Sequence, residues 1–324
     1  MSQNQEEDKV KTEEDWCKFE HIPVMPKESI ELLKVRKGGT YVDGTLGGGG
    51  HSEIIASILK EKGKIIGIDQ DPEALKAAKN KLALYRNLIE FVYDNFRNFD
   101  NILNKLNIKL VNGVLLDLGV STYQLKASQR GFSFSEDRNN IAVCLDMRMN
   151  PNQSLTAYDV INNYSEDRLR EILFKLGEEP FARSITRKIV QIRERKPIVT
   201  TNDLLEVIRS ATPPKYRYSR RHGHYASKVF RAVRMEVNQE LSALQEVIPQ
   251  AVGRLKKGGR LVIISFHSLE DRIVKRAFRD MASTKDDKKP VVKLLTKKPL
   301  IASREEIESN PKSDSAKLRA IEKI

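Results

Sequence analysis

The sequence predicts an α/β fold, a mostly parallel sheet with helices on both faces, interrupted by an all-helical insertion. Three observations carry this expectation. Short apolar runs alternate with amphipathic helical stretches early in the chain, a Gly-rich turn follows the first run, and the alternation lapses between about residues 128 and 228 before resuming. Buried parallel strands read as near-continuous apolar segments, and strand–helix repetition covers both faces of the sheet. With 324 residues, 40% hydrophobic and 31% charged, the chain can bury a sizeable core.

Residues 39–43 read as the first strand. The next stretch, 52–60, spaces Ile54, Ile55, Ile58 and Leu59 as a helix does. Residues 64–69 form a second strand, and Pro72 opens a helix of strong formers over 73–84. A third strand (88–92), a helix (98–106) and a fourth, strongly apolar strand (111–118) follow. From 154 to 209 no strand alternation occurs. Helical patterns span 166–175, 180–195 and 202–209, the last preceded by Thr200-Thr201-Asn202 as a cap. Residues 238–255 predict one long helix closed by Lys256-Lys257-Gly258-Gly259. A fifth strand (260–266) follows, then a helix opened by Ser268 with Asp271 at its third position, and two final strands at 291–295 and 316–321. The expected organisation is a disordered acidic tail (1–19), the α/β domain (20–127 and 229–324), and a helical insertion (128–228).

Lys and Arg number 57 against 44 Asp and Glu, a net charge of +13 that favours a polyanionic partner. The excess is local: residues 183–234 hold fourteen Lys/Arg and three acids, a net of +11. There Lys215-Tyr216-Arg217-Tyr218-Ser219-Arg220-Arg221 interleaves cations with aromatics, suiting phosphate contact and base stacking. Cys17 and Cys144 stand far apart with no CxxC, so a disulfide framework and a four-thiolate zinc site are excluded and a reducing, cytoplasmic setting is expected. No apolar run approaches a membrane span.

The turn Asp43-Gly44-Thr45-Leu46-Gly47-Gly48-Gly49-Gly50-His51 lies where such sheets bind an adenosine cofactor. Asp69 closes the second strand and can accept from both ribose hydroxyls. The dinucleotide fingerprint fails, because Ser52 stands where the third Gly belongs, and no Walker lysine is present. Asp43 would repel a pyrophosphate but can bind an ammonium. These points favour S-adenosylmethionine over NAD. Asp94-Asn95-Phe96 suits an adenine edge, although a lone Phe is as readily core.

From Asp117-Leu118-Gly119-Val120-Ser121 onward the motifs narrow. The chain resembles the bacterial small-subunit (16S) ribosomal RNA cytosine-N4 methyltransferases. Its matching segments include His21–Met25, the Gly-rich turn, Asp69-Gln70-Asp71-Pro72, Gln129-Arg130-Gly131-Phe132-Ser133-Phe134, Leu145-Asp146-Met147-Arg148-Met149 and Ser265-Phe266-His267-Ser268-Leu269-Glu270-Asp271-Arg272. They run in order from about residue 20 to the C-terminus. The resemblance implies a Rossmann-like S-adenosylmethionine-dependent methyltransferase sheet with an inserted all-helical domain. It implies cofactor contacts at Gly49, Gly50, His51, Asp69, Phe96, Asp117 and Gln124. Its substrate would be the exocyclic N4 amine of a decoding-centre cytosine in small-subunit ribosomal RNA, within the assembled subunit; a homodimer is left open.

That chemistry needs acceptors for the amine hydrogens and in-line alignment, with neither a strong base nor a metal. Asp117 is the expected catalytic group at the methyl. His267 is the second, weighed against a role in ordering its turn. Arg217, Arg220, Arg221 and Lys228 are the expected RNA contacts. Asp146 and Arg148 either fix the Arg130–Phe134 loop or touch RNA, and Glu178-Glu179 reads as a helix start. The [Asn/Asp/Ser]-Pro-Pro-[Tyr/Phe] motif of DNA amino-methyltransferases is missing after Asp117, which argues against a DNA substrate. Two stretches, 136–144 and 224–230, depart from the family pattern. They motivate the alternative of a non-catalytic RNA-binding ribosome assembly factor that keeps the fold. A nicotinamide oxidoreductase is the third reading.

Overall fold

The structure, a computed structural model, describes residues 23–60, 62–120, 130–132, 143–218, 224–284 and 289–324. The expected tail at 1–19, Gln124, Arg220 and Arg221 lie outside the described residues. Five strands run parallel: β1 (Thr40–Asp43), β2 (Lys64–Asp69), β3 (Ile89–Tyr93), β4 (Val111–Asp117) and β5 (Leu255–Ser265). With β6 (Val292–Leu294) and β7 (Lys317–Lys323) they form one sheet in the order β3-β2-β1-β4-β5-β7-β6, with β7 antiparallel to both neighbours. This is a Rossmann-like sheet. The chain runs outward from β1 to β3 and then returns to β4, so the order reverses between β1 and β4. Ligands of open α/β sheets bind at the carboxyl ends of strands flanking such a reversal.

Alternation within the strands decides which face each side chain covers. One face buries Tyr41, Ile65, Leu115 and Val262 with α1 (Pro26–Leu33), α2 (Gly50–Leu59) and α3 (Pro72–Lys81). The other buries Val42, Ile66, Val114 and Ile263 with α4 (Phe99–Lys105) and two later helices.

The insertion is α5 (Ala157–Asn163), α6 (Glu166–Lys175), α7 (Ala182–Arg193), α8 (Thr201–Ala211), the single turn α9 (Pro214–Arg217) and α10 (Ser227–Asn238). Ile185, Ile189 and Ile192 fall on one face of α7 and pack into a separate core with Ile161, Leu173, Ile208 and Val233. Thr156 and Thr200 each cap a helix through a reciprocal box, with Asp159 and Asp203. Val229, Phe230, Ala232, Val233 and Val237 of α10 belong to this helical core. The core therefore extends nine residues beyond the expected end of the insertion at 228.

The helix expected over 238–255 is present over Glu240–Arg254, and a break just before it parts it from α10. Gln239 adopts φ +49 between α10 and α11 (Glu240–Arg254). The cause is Asn238, whose amide accepts from Met149 N at 2.7 Å and donates to Met147 O at 2.7 Å. Lys256–Gly259 does not close a helix either. It belongs to β5, where a register shift against β4 and φ +75 at Gly258 accommodate it. After β5 come α12 (Ser268–Met281) and α13 (Arg304–Ser309).

Candidate active site

A cleft of about 700 Å³ opens at the carboxyl ends of β1 and β4. Its sheet-side wall is the Gly-rich turn with Asp69, Asn95, Phe96 and Asp117, and its opposite wall is Arg231, Arg234 and Asn238 of α10 with Phe266 and His267. The turn is held by backbone bonds: Gly44 N to Leu115 O at 2.9 Å and Leu46 N to Ile68 O at 2.9 Å. Two of its glycines are required by packing as well as by ligand approach. A Cβ on Gly44 would stand 2.4 Å from Leu116 Cδ2. Gly49 has φ +82, and a Cβ there would stand 2.8 Å from Leu82 Cδ1.

Three carboxylates converge behind this turn. Asp43 accepts from Ser52 Oγ at 2.7 Å and from Thr45 N at 3.3 Å. Burial pushes it up to about 6 against those bonds. Asp69 accepts from Gly47 N at 2.8 Å and Asp71 N at 2.9 Å; burial again raises it, to about 6, with the charges of Asp71 and Asp43 adding to the effect. Asp117 is raised well above the carboxylate range by burial first, then by Asp43 and Glu270, with Lys312 opposing. Its backbone N–H donates to Thr45 Oγ1 at 2.6 Å, while its Oδ1 is buried with no hydrogen-bond partner. Such an atom costs stability unless a ligand completes it.

His51 is not a base. Burial lowers it to about 4, so it is neutral, and its Nε2 lies 3.0 Å from Val24 O as the donor. That tautomer leaves the Nδ1 lone pair facing Asp117 Oδ2 at 3.8 Å. Gly50 and His51 open α2 against the cleft, and Phe96 stands half-buried at its edge, in a short turn that Asn95 caps.

His267 reaches the cleft wall with its Nδ1 committed to the backbone, while its Nε2 is buried without a hydrogen-bond partner, beside the Glu270 carboxylate. It caps α12: Nδ1 accepts from Glu270 N at 3.4 Å, and Nε2 lies 3.2 Å from Glu270 Oε1. The helix-opening box is therefore His267 with Glu270, one residue before the expected Ser268 with Asp271. Asp271 instead pairs with Arg319 at 2.6 Å. Burial alone would raise Glu270, but the close contact and charge of His267, with Phe266 N and Arg234, hold it low. Glu178 and Glu179 do not start a helix. Glu178 sits at φ +50, and buried Glu179 accepts from Phe181 N at 2.9 Å and Tyr216 Oη at 2.8 Å.

The expected RNA contacts divide. Arg217 stands 6.0 Å over the ring of Tyr218, which is 82% exposed. Tyr216 turns inward against Phe181, ring centroids 4.8 Å apart, and leaves the stacking series. Lys228 Nζ donates to Glu178 O at 3.1 Å. Asp146 pairs with Arg148 through two contacts of 2.8 Å, while the tie between the helical unit and the sheet is Arg130. Arg130, Thr45 and Ser52 were legible only as parts of their motifs, and Arg231 only as one cation of the basic stretch.

The cofactor expected from the sequence fits these residues. The turn carries no Lys or Arg for a pyrophosphate, its carboxylates suit an ammonium and ribose hydroxyls, and Asp117 Oδ1 awaits a donor. No group of three or more His, Cys, Asp or Glu that could hold a metal ion occurs among the described residues.

Ribosomal RNA small subunit methyltransferase H of Clostridium botulinum strain 657 is 49% identical over 94% of this chain and 99% of its own length. The enzyme of that name from the Okra strain is 50% identical over the same shares. A solved rRNA methylase from Streptococcus thermophilus aligns over 92% of this chain and 95% of its own at 12% identity and a TM-score of 0.42. The model of the MraW methylase family matches residues 18–324. With near-complete matches to both a family model and these relatives, the chain belongs to the MraW methylase family.

Proposed function

We propose that this chain methylates the exocyclic N4 amine of a decoding-centre cytosine in small-subunit ribosomal RNA, using S-adenosylmethionine. The observation that carries the reading is Asp117. It is a carboxylate at the sheet's reversal point, with one oxygen buried and unpartnered, at the inner end of a cleft large enough for a cofactor and a nucleoside. The names of the relatives supply the substrate class.

When bound, the cofactor supplies a methyl group made electrophilic by its sulfonium. Asp69, fixed by the amides of Gly47 and Asp71, accepts from the ribose hydroxyls. Phe96 would border the adenine, Gly49, Gly50 and His51 would shape the turn, and Asp43, buried behind it, would favour the ammonium through its charge. Gln124 is assigned to the cofactor by the family motif alone. Asp117 accepts the hydrogens of the cytosine amine, which orients the nitrogen lone pair and favours its pyramidal form. Its raised pKa suits it to take the proton released as the methyl arrives. His267 positions this end of the cleft by fixing the turn into α12. The cytosine must leave its stack to enter. The +11 stretch, with Arg217 and Lys228 inside it and Arg220 and Arg221 between them, holds the strand.

Purified protein incubated with unmodified small subunits and labelled cofactor should place one label on a cytosine N4, located by mass spectrometry. Naked ribosomal RNA in a parallel arm tests the requirement for an assembled subunit. Cofactor and RNA binding without label would overturn the enzymatic reading in favour of a non-catalytic assembly factor.

A further inference from the structure

Arg231 of α10 lines the same cleft as the Gly-rich turn and Asp117. Its environment differs from that of the other cleft cations. Arg234 is neutralised by Glu240 through contacts of 2.8 and 2.9 Å, and Lys81 lies 3.3 Å from Glu53. Among the described residues no carboxylate lies within ion-pairing distance of Arg231. Its one hydrogen bond is from Nη2 to Gly177 O at 3.0 Å, and its Nε is buried without a partner. Removing a guanidinium from water without an anion is unfavourable. A fold keeps such a group where a ligand completes it.

The ligand's chemistry follows from position. The amine end of the base is at Asp117, on the sheet wall. Asp117 and Arg231 line the same cleft; burial and Arg234 disfavour the charge of Arg231, while Glu178 and Glu270 favour it without reaching ion-pairing distance. A nucleotide whose base edge meets Asp117 has its sugar–phosphate in the same cleft, whose lining includes Arg231. We infer that Arg231 is the receptor for a phosphodiester group flanking the target cytosine, seating the strand so that the amine reaches Asp117. This rests on the RNA reading above. Arg suits the role because its planar fork can grip two phosphate oxygens at once, while the Gly177 carbonyl fixes its far side.

The test uses the full chain with unmodified small subunits. Arg231→Gln should weaken subunit binding about tenfold at fixed salt, and flatten the slope of log affinity against log salt by roughly 0.7–0.9, the loss of one phosphate contact. Cofactor affinity, measured by equilibrium dialysis without RNA, should stay unchanged. Arg231→Lys should regain the slope but not the full affinity. Arg231→Met, which keeps the aliphatic packing, gives the same readout should the Gln variant fail to fold. A parallel fall in cofactor affinity would overturn the inference and assign the guanidinium to the cofactor's carboxylate. Unchanged subunit affinity and slope would also overturn it, leaving Arg231 a structural tie to Gly177. Methylation by the parent protein tests the functional reading separately, because the binding slopes do not depend on turnover.

Discussion

Arg130 Nη2 lies 2.5 Å from Asp71 Oδ2, whose side chain is fully buried at the N-cap of α3, while Nη1 donates to the carbonyls of Arg148 and Met149 at 3.0 Å each. One guanidinium thus joins the sheet to the strap leading into the helical unit. Arg130→Ala would take the guanidinium from a buried carboxylate and free two carbonyls. It should cost roughly 3 kcal/mol of stability, read by denaturant titration, and weaken RNA binding more than cofactor binding. Arg130→Ala with Asp71→Asn should recover part of the loss.

Asp117→Asn should separate stability from activity. The substitution keeps the shape and removes a charge that burial, Asp43 and Glu270 all disfavour. Thermal stability should hold or rise, while kcat falls about 10²–10³-fold. A falling melting temperature with retained kcat would remove Asp117 from the chemistry.

Cofactor binding should depend on pH. Asp43 and Asp69, each pushed up to about 6, must be ionised to receive an ammonium and to accept from hydroxyls. Affinity should be level above about pH 7 and decline as pH falls through 6, followed by calorimetry. The sign for stability is opposite. Because both groups bind protons more tightly in the folded state than in the unfolded one, their contribution to stability is greatest below the ordinary carboxylate value and is lost as pH rises through 6.

His267→Ala removes the cap and leaves buried Glu270 without its Nε2 neighbour, an expected loss of about 1–2 kcal/mol with a lower kcat. His267→Asn can still cap the helix and should restore most of both. Restored stability with no recovered turnover would show that the imidazole touches the substrate.

Neutralising Arg217, Arg220 and Arg221 together should weaken RNA binding and flatten its salt dependence, with cofactor affinity intact. Tyr218→Ala should weaken binding without altering that slope, because a stacked ring releases no counterion. An equal loss of cofactor affinity in the triple variant would contradict the division between the two walls.

Much of the sheet was legible because its determinants are local. Lys64–Asp69 was expected residue for residue, and β1, β3 and β4 within one or two. The carboxylates Asp43, Asp69 and Asp117 fall at strand ends, where the pattern itself marks them. The errors lie where distant residues decide. Nothing near Asn238 announces that Met147 and Met149, about ninety positions away, will claim its amide, where α10 ends two residues before α11 begins. Likewise Tyr216 reads as one aromatic among cations until Glu179, 37 residues back, draws in its hydroxyl. A turn-ordering role for His267 was open from the sequence, but that it, and not Ser268, caps the helix shows only in the geometry of the turn.

The pairing of β4 with β5 joins Asp117 to Ile264 across the whole helical insertion. Closing so long a loop has an entropic cost that grows with the logarithm of its flexible length. If the insertion folds first on its own local contacts, it shortens that length and draws the two strands together before they pair. The helical unit would then act as a folding clamp for the sheet. Pulsed hydrogen exchange should find α6–α8 protected before β4 and β5, and Ile185→Val should slow the closing of the sheet it never touches. Simultaneous protection of both units would rule out this order.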